Sequence, residues 1–305
     1  MTRGRTPSAS AGGGAPTDTV QTRLPSGLLA GIEVDRWAAG SYQLVVDGTP
    51  QSHVDLDDPS RLFFEYVQRI GALIDEWGAP GEPATALHLG AGALTLPRYI
   101  HTTRPGSRQQ VIELDEALVA FVREHLPLPK HSGIRVRYGD ARAMLDRLPA
   151  ALRGTVDIVV VDVFSGACIP AHVTSVEFYE ALRAYLAPGG LVAVNVADGP
   201  GLAFARSQAA TLQYVFDDVA ILAESGVLKS RRFGNLVMAA STGPLPLDWM
   251  PRLMARGPHP ATVTSGRDLT AWVAGAPLTT DATAVDSPAP SAGLFTTARS
   301  QGGRA

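Results

Sequence analysis

Lysine is nearly absent: Lys130 and Lys229 are the only two in 305 residues. No Gly-Lys-Ser/Thr occurs, which excludes a P-loop nucleotidase, and a Schiff-base enzyme would have just two candidate nucleophiles. Cys168 is the single cysteine. Neither an intramolecular disulfide nor a cysteine-rich zinc site can form, so a reducing compartment, the cytoplasm, is expected. The 26 basic and 29 acidic residues leave a net charge of -3 with no Lys/Arg block, so no nucleic-acid partner is expected. No apolar run approaches the ~20 residues needed to span a bilayer, and the start of the chain lacks the apolar stretch of a signal peptide, so no membrane partner is expected. The histidines, among them His53, His88 and His131, show no ligand spacing such as H-E-x-x-H, and no metal is expected.

What remains is 45% hydrophobic and 18% charged, enough to bury a full core. Residues 1–26 are mostly Gly, Ser, Thr, Pro and Ala, which cannot offset the entropy of ordering, and a disordered tail is expected. Over 27–58, strand-like apolar runs separated by Ala38-Ala39-Gly40 and closed by Asp47-Gly48 predict a small antiparallel β element. Asp58-Pro59-Ser60 then opens a helix in which Leu62, Phe63, Tyr66, Ile70, Leu73 and Trp77 recur at helical spacing.

From 59 to 242 the pattern alternates. Strands are predicted at 84–89, 110–114, 134–138, 156–161 and 191–196, with helices at 94–102, 117–126, 141–148, 176–186 and 202–215 between and after them. Such nearly continuous Val/Ile/Leu strands indicate an α/β fold whose parallel sheet is covered on both faces. Two last strands, 218–222 and 235–240, have a loop between them and predict an antiparallel hairpin at one edge. A C-terminal helical extension is expected over 243–285 and a second disordered tail over 286–305, where Pro, Ala, Ser and Gly return.

Ligands of open α/β sheets bind beyond the carboxyl ends of the strands, and here those ends are acidic. The first strand ends in Gly90-Ala91-Gly92, which lets a backbone approach a ligand or simply makes a tight turn. Glu113 lies 23 residues beyond Gly90, close to the spacing at which an acid reaches ribose hydroxyls. The third strand ends in Gly139-Asp140-Ala141, where Asp140 can accept from an adenine amino group, cap the next helix, or do both. Asp162 follows the apolar fourth strand, where a partly buried acid is costly unless used. Asp198, after the fifth, either faces the same cleft or serves its turn. Cys168 and His172 lack a third group that would make them a nucleophile pair.

Together, Leu44 to Ser52 (LVVDGTPQS), the Leu89-Gly90-Ala91-Gly92 turn, Val111 to Asp115 (VIELD), Gly139-Asp140-Ala141 and Asp157 to Asp162 (DIVVVD) with Ile169-Pro170 resemble the spermidine synthase family. The resemblance implies a Rossmann-like class I methyltransferase fold with a seven-stranded, mostly parallel sheet and a small N-terminal antiparallel element. It further implies a sulfonium nucleoside, decarboxylated S-adenosylmethionine or S-adenosylmethionine, as co-substrate, held by Gly90, Gly92, Glu113 at the ribose, and Asp140 and Ala141 at the adenine. A small-molecule amine would meet Asp162, with Gln51, Ser165 and Asp198 as further substrate contacts, in a homodimer serving polyamine biosynthesis. An Asp of pKa ~3.9 is about six units weaker as a base than an amine, roughly 8 kcal/mol. Asp162 is therefore expected to orient the neutral amine and collect its proton as the new ammonium forms, with burial raising its own pKa.

There are three departures from the family pattern: Ala93 stands for an Asp of the glycine loop, Ser165 for a second Asp beyond the catalytic one, and Phe63-Phe64 for a Tyr-Gln pair on the first helix. Each lost carboxylate removes a contact worth about 1.5–3 kcal/mol to a cationic partner. Ala93 also removes repulsion against the carboxylate of intact S-adenosylmethionine. A methyltransferase and a non-catalytic nucleoside-binding paralogue are accordingly the alternatives to an aminopropyl-type transferase.

Overall fold

The apolar runs become strands because, with helices on both sides, neither of their faces meets water: in Val156–Val161 every residue but Asp157 is buried. In the computed structural model, which describes residues 19–256 and 259–290, twelve strands form two sheets. The first sheet is an antiparallel meander of β1 (Thr19–Arg23), β2 (Leu29–Val34), β3 (Ser41–Val46) and β4 (Thr49–Asp55). The second contains β5 (Thr85–Leu89), β6 (Arg108–Glu113), β7 (Ile134–Tyr138), β8 (Val156–Val161), β9 (Leu186–Asp198), β10 (Asp218–Ala223), β11 (Gly234–Ser241) and β12 (Thr262–Ser265), in the order β12-β10-β11-β9-β8-β5-β6-β7. The β5 to β9 pairs are parallel, whereas β11 is antiparallel to both β9 and β10. This is the class I methyltransferase-like α/β fold, and between β5 and β8 the strand order reverses, the place where such sheets bind ligands.

Helices α1 (Glu65–Glu76), α2 (Thr95–Thr103), α3 (Glu116–His125), α4 (Val176–Arg183), α5 (Ala203–Val215), α6 (Ser225–Leu228), α7 (Met250–Met254) and α8 (Gly266–Val273) complete the structure. On one sheet face Ile70, Leu73 and Ile74 of α1 pack with Leu96 and Ile100 of α2; on the other, Phe178 and Leu182 of α4 pack with Ala209 and Leu212 of α5. Each fully buried Leu or Ile contributes about 1.5–3 kcal/mol. The small sheet has its own core, Leu24, Ala30, Ile32, Leu44 and Val54, closed by Phe121 and Val122 of α3.

Several expectations are corrected. The N-terminal tail does not extend to residue 26, because Thr19–Arg23 pairs with β2 as its outer strand. At the other end, Asp286 accepts from the Ala171 amide and Ser287 exchanges bonds with Ile169, so 286 and 287 dock on the loop after β8; residues 1–18 and 291–305 lie outside the described ones. The main sheet has eight strands rather than seven, since Thr262–Ser265 of the expected helical extension adds to β10. In the expected helix over 141–148 the Asp140 carboxylate takes the Arg142 and Ala143 amides, and only a 3-10 turn, Leu145–Arg147, forms before Pro149. Asp55 likewise takes the Asp57 and Asp58 amides, holding that stretch as turns and delaying α1 to Glu65.

Candidate active site

The turn after β5 and the end of β8 touch through backbone. Gly90 has φ +91, and a Cβ there would lie 2.9 Å from the Asp162 carbonyl carbon and nearer still to its oxygen. The Asp162 amide donates to Leu89 at 2.9 Å, so the two strand ends are tied at this crossing. Only glycine satisfies both the dihedral and the space. Gly92 is similarly pressed by the Ser52 hydroxyl of β4, which accepts from the Ala93 amide at 3.1 Å, while Thr95 donates to the His53 carbonyl. The small sheet thereby braces the glycine turn.

Glu113 ends β6 and reaches back: one oxygen accepts from the Ala91 amide at 2.8 Å, the other from Asp115 at 3.0 Å. Each carboxylate oxygen retains a lone pair, so a vicinal diol can still be received there. Asp115 caps α3 through the Leu118 amide. Asp140 accepts from Arg142 and Ala143 with one oxygen and meets His172 Nε2 at 2.6 Å with the other. Burial pushes its pKa up, but the Ala143 amide, His172 and the Arg142 amide outweigh this and hold it below the usual carboxylate range. Asp140 thus closes a turn over Arg142 and Ala143 rather than capping a helix, and the side chain of Ala141 is part of the core.

Asp162 is held from two sides. Its Oδ1 accepts from Asn195 Nδ2 at 2.8 Å, and its Oδ2 accepts from the Tyr66 hydroxyl at 3.2 Å. Burial raises its pKa, the donors Asn195 and Tyr66 oppose that, and the charge of Glu113 adds to the rise. Tyr66 is pushed far above its ordinary value by burial and by Asp162, which keeps it a donor. Asn235 of β11 in turn donates to Asn195 Oδ1 at 3.0 Å. Glu113 and Asp162 therefore flank the glycine turn on one rim, the first free to accept hydroxyls and the second to accept a proton.

Other candidates fall elsewhere. Asp198 is corrected: it is 3% exposed, with its oxygens accepting from the Gly199 amide and from Ala205 in the first turn of α5, so burial removes it from the rim. Ser165 is exposed in the loop after β8, bridged through backbone to Cys168. Gln51 sits half-buried in β4, where its neighbour Ser52 is the one that meets the glycine turn. His172 pairs with Asp140 rather than with Cys168. Phe63 stacks on His53 with centroids 4.4 Å apart and Phe64 precedes α1, so the aromatic that reaches Asp162 is Tyr66, two residues beyond that pair.

Reasoning from the sequence missed Tyr66, Asn195 and Asn235. Asn195 had a visible signal, an amide amid the apolar run of Leu191 to Ala197. A metal has one candidate cluster among the described residues, Glu65, Glu224 and His259, whose ligand atoms lie within 4.8 Å of one another. Arg69 faces both carboxylates, however, and Arg232 pairs with Glu224, so cations already occupy their charge. A concavity of about 430 Å³ lined by Arg123, Lys130 and His131 lies at the opposite end of the sheet, where β7 begins.

No family model matches this chain. The polyamine aminopropyltransferase of Vibrio vulnificus (strain CMCP6) is 27% identical over 146 residues, 46% of this chain and 46% of that protein. Polyamine aminopropyltransferase 2 of Pseudomonas aeruginosa is 32% identical over 189 residues, 58% of this chain and 50% of that protein. A solved structure of a probable spermidine synthase from Corynebacterium glutamicum superposes with TM-score 0.77 at 28% identity, covering 86% of this chain and 95% of that one. In sequence and in fold the chain is similar to the spermidine synthase family. It spans about half the length of these two curated relatives. The likeness to the Corynebacterium glutamicum structure extends over most of the chain, which comprises the methyltransferase-like sheet and the separate antiparallel sheet against the glycine turn. Among the described residues no helix is long and apolar enough to cross a membrane.

Proposed function

We propose that this protein is a spermidine synthase-like transferase that moves an alkyl group, foremost the aminopropyl group of decarboxylated S-adenosylmethionine, from a sulfonium nucleoside to a small amine, in polyamine biosynthesis. Asp162 carries the reading: a half-buried carboxylate at the strand-order reversal, touching Gly90 and flanked by donors that leave room on Oδ2 for one more hydrogen bond. Glu113 would take the ribose hydroxyls, and Asp140 the adenine side of the rim. The amine nitrogen lone pair forms the new C–N bond while the C–S bond breaks, its electron pair neutralising the sulfonium. The proton released from the resulting ammonium passes to Asp162. Burial that raises the Asp162 pKa narrows the gap of about six units between carboxylate and amine, easing this transfer.

A second reading is methyl transfer from intact S-adenosylmethionine. It is favoured by the segment Gly90 to Thr103, which contains no acidic side chain to repel a methionine carboxylate. Calorimetric titration with both donors, followed by a methylthioadenosine assay over a panel of amines, separates the two. Tighter binding of the decarboxylated donor with product formation supports aminopropyl transfer, whereas preference for the intact donor and no methylthioadenosine overturns it.

A further inference from the structure

We propose that Asn195 and Asn235 are positioning residues, an amide relay that orients Asp162 and holds it as a hydrogen-bond acceptor before the amine arrives. This rests on the reading of Asp162 as proton acceptor and extends it to two strands that the proposed reaction does not itself use.

The relay lies in one row across the sheet. Asn195 stands on β9 beside the end of β8, and Asn235 on β11 is opposite Ala197, hence a diagonal neighbour of Asn195 on the same sheet face. From Leu191 to Ala197 the strand is otherwise Leu, Val and Ala, all buried, and Asn195 is 3% exposed. A buried amide in such a strand is destabilising unless its groups find partners. It finds them in Asp162 Oδ1 at 2.8 Å and Asn235 Nδ2 at 3.0 Å. An aliphatic residue would serve packing as well, so what the amide adds is directed at Asp162.

The direction of the relay follows from chemistry. An ionised carboxylate only accepts, so Asn195 must turn its NH2 toward Asp162 and its carbonyl away. The Asn235 NH2 receives that carbonyl and would clash, donor against donor, with a flipped Asn195. Asn235 thus selects one amide orientation, Asn195 fixes Oδ1, and Oδ2 stays available to the amine beside the longer Tyr66 bond. The groups that act on Asp162 from the surrounding elements are Tyr66 on α1, Asn195 on β9 and Glu113 on β6. Removing the Asn195 donor leaves burial and Glu113 less opposed, which favours the protonated form.

The test follows the carboxyl carbon resonance of Asp162 against pH in full-length protein labelled at aspartate, assigned by its loss in Asp162→Asn. Asn195→Ala is expected to raise the titration midpoint by about one unit, and the more exposed Asn235→Ala by less, in the same direction. Because Asn235 acts through Asn195, the double variant should match Asn195→Ala, with donor affinity by calorimetry changed by no more than about twofold throughout. With a turned-over amine, the acid limb of kcat/KM should move by the same amounts. A midpoint indifferent to Asn235→Ala, or shifts that add in the double variant, would overturn the relay. Should no amine turn over in wild type, the transferase reading fails, while the resonance still reports on the relay by itself.

Discussion

An alanine at Gly90 measures how tightly the strand ends are joined at the reversal point. Its φ of +91 costs any L-residue about 1–2 kcal/mol. In addition the new Cβ meets the Asp162 peptide within 2.9 Å, and that obstacle is backbone, held by the Leu89 bond at 2.9 Å, so it cannot rotate away. Overpacking of this kind adds about 1–3 kcal/mol, for a total of about 2–5 kcal/mol. Gly189 supplies the control, since its φ is +72 but nothing lies within 4 Å of a Cβ, and Gly189→Ala should cost only the dihedral part, about 1–2 kcal/mol. Urea unfolding of both variants, with slopes confirmed equal, gives the difference. Parting β5 from β8 also displaces Asp162 from the glycine turn, so turnover should drop in Gly90→Ala alone. Equal stability losses at the two positions would refute the close approach and the role assigned to it.

Asp162→Asn should lower kcat by about 10²–10⁴ while leaving donor affinity intact, and wild-type turnover in that variant would remove its proton-accepting role. In Glu113→Gln, loss of charge-assisted bonding should weaken donor binding about tenfold or more by calorimetry; unchanged affinity would place the ribose elsewhere. Asp198→Ala should destabilise by about 1–3 kcal/mol in urea without changing donor affinity, the reverse of what a substrate contact would show. His88, buried against Gln109, has its pKa lowered to about 4. The unfolded chain therefore binds a proton at His88 from about pH 6.5 downward while the native state does not until about 4, so stability should fall as pH drops through this window. Unfolding free energies measured at several pH values in wild type and His88→Gln would check this, and an identical slope in the two would contradict it.

The alternation of strands and helices was legible because each period is local: apolar Val156–Val161 and the spaced apolar residues of α1 declare themselves in a few residues. So was the order of glycine turn and acid around Gly90 and Glu113, which one βαβ unit contains. Asp162 stood out as an acid closing an apolar strand. By contrast, β12 is the polar segment TVTS, and β1 is TVQTR; both are strands because an edge offered them partners. The same limit applied to function at the fifth strand. Its acid, Asp198, was the natural candidate, yet pairing with β11 carries β9 through Asp198, and the residue meeting Asp162 is Asn195.

By itself, then, the sequence determined the α/β class, the location of the rim and the candidacy of Glu113 and Asp162, since these depend on periodicity and on chemistry placed at element ends. Tertiary structure decided which acids are available to a ligand. Whether a carboxylate can meet a ligand depends on neighbours distant in the chain: Asp198 is buried against the first turn of α5, whereas Asp162 is set by Tyr66 from 96 residues away and by Asn195 from 33. Burial and hydrogen-bond partners are both properties of packing, and only the packed fold determines them.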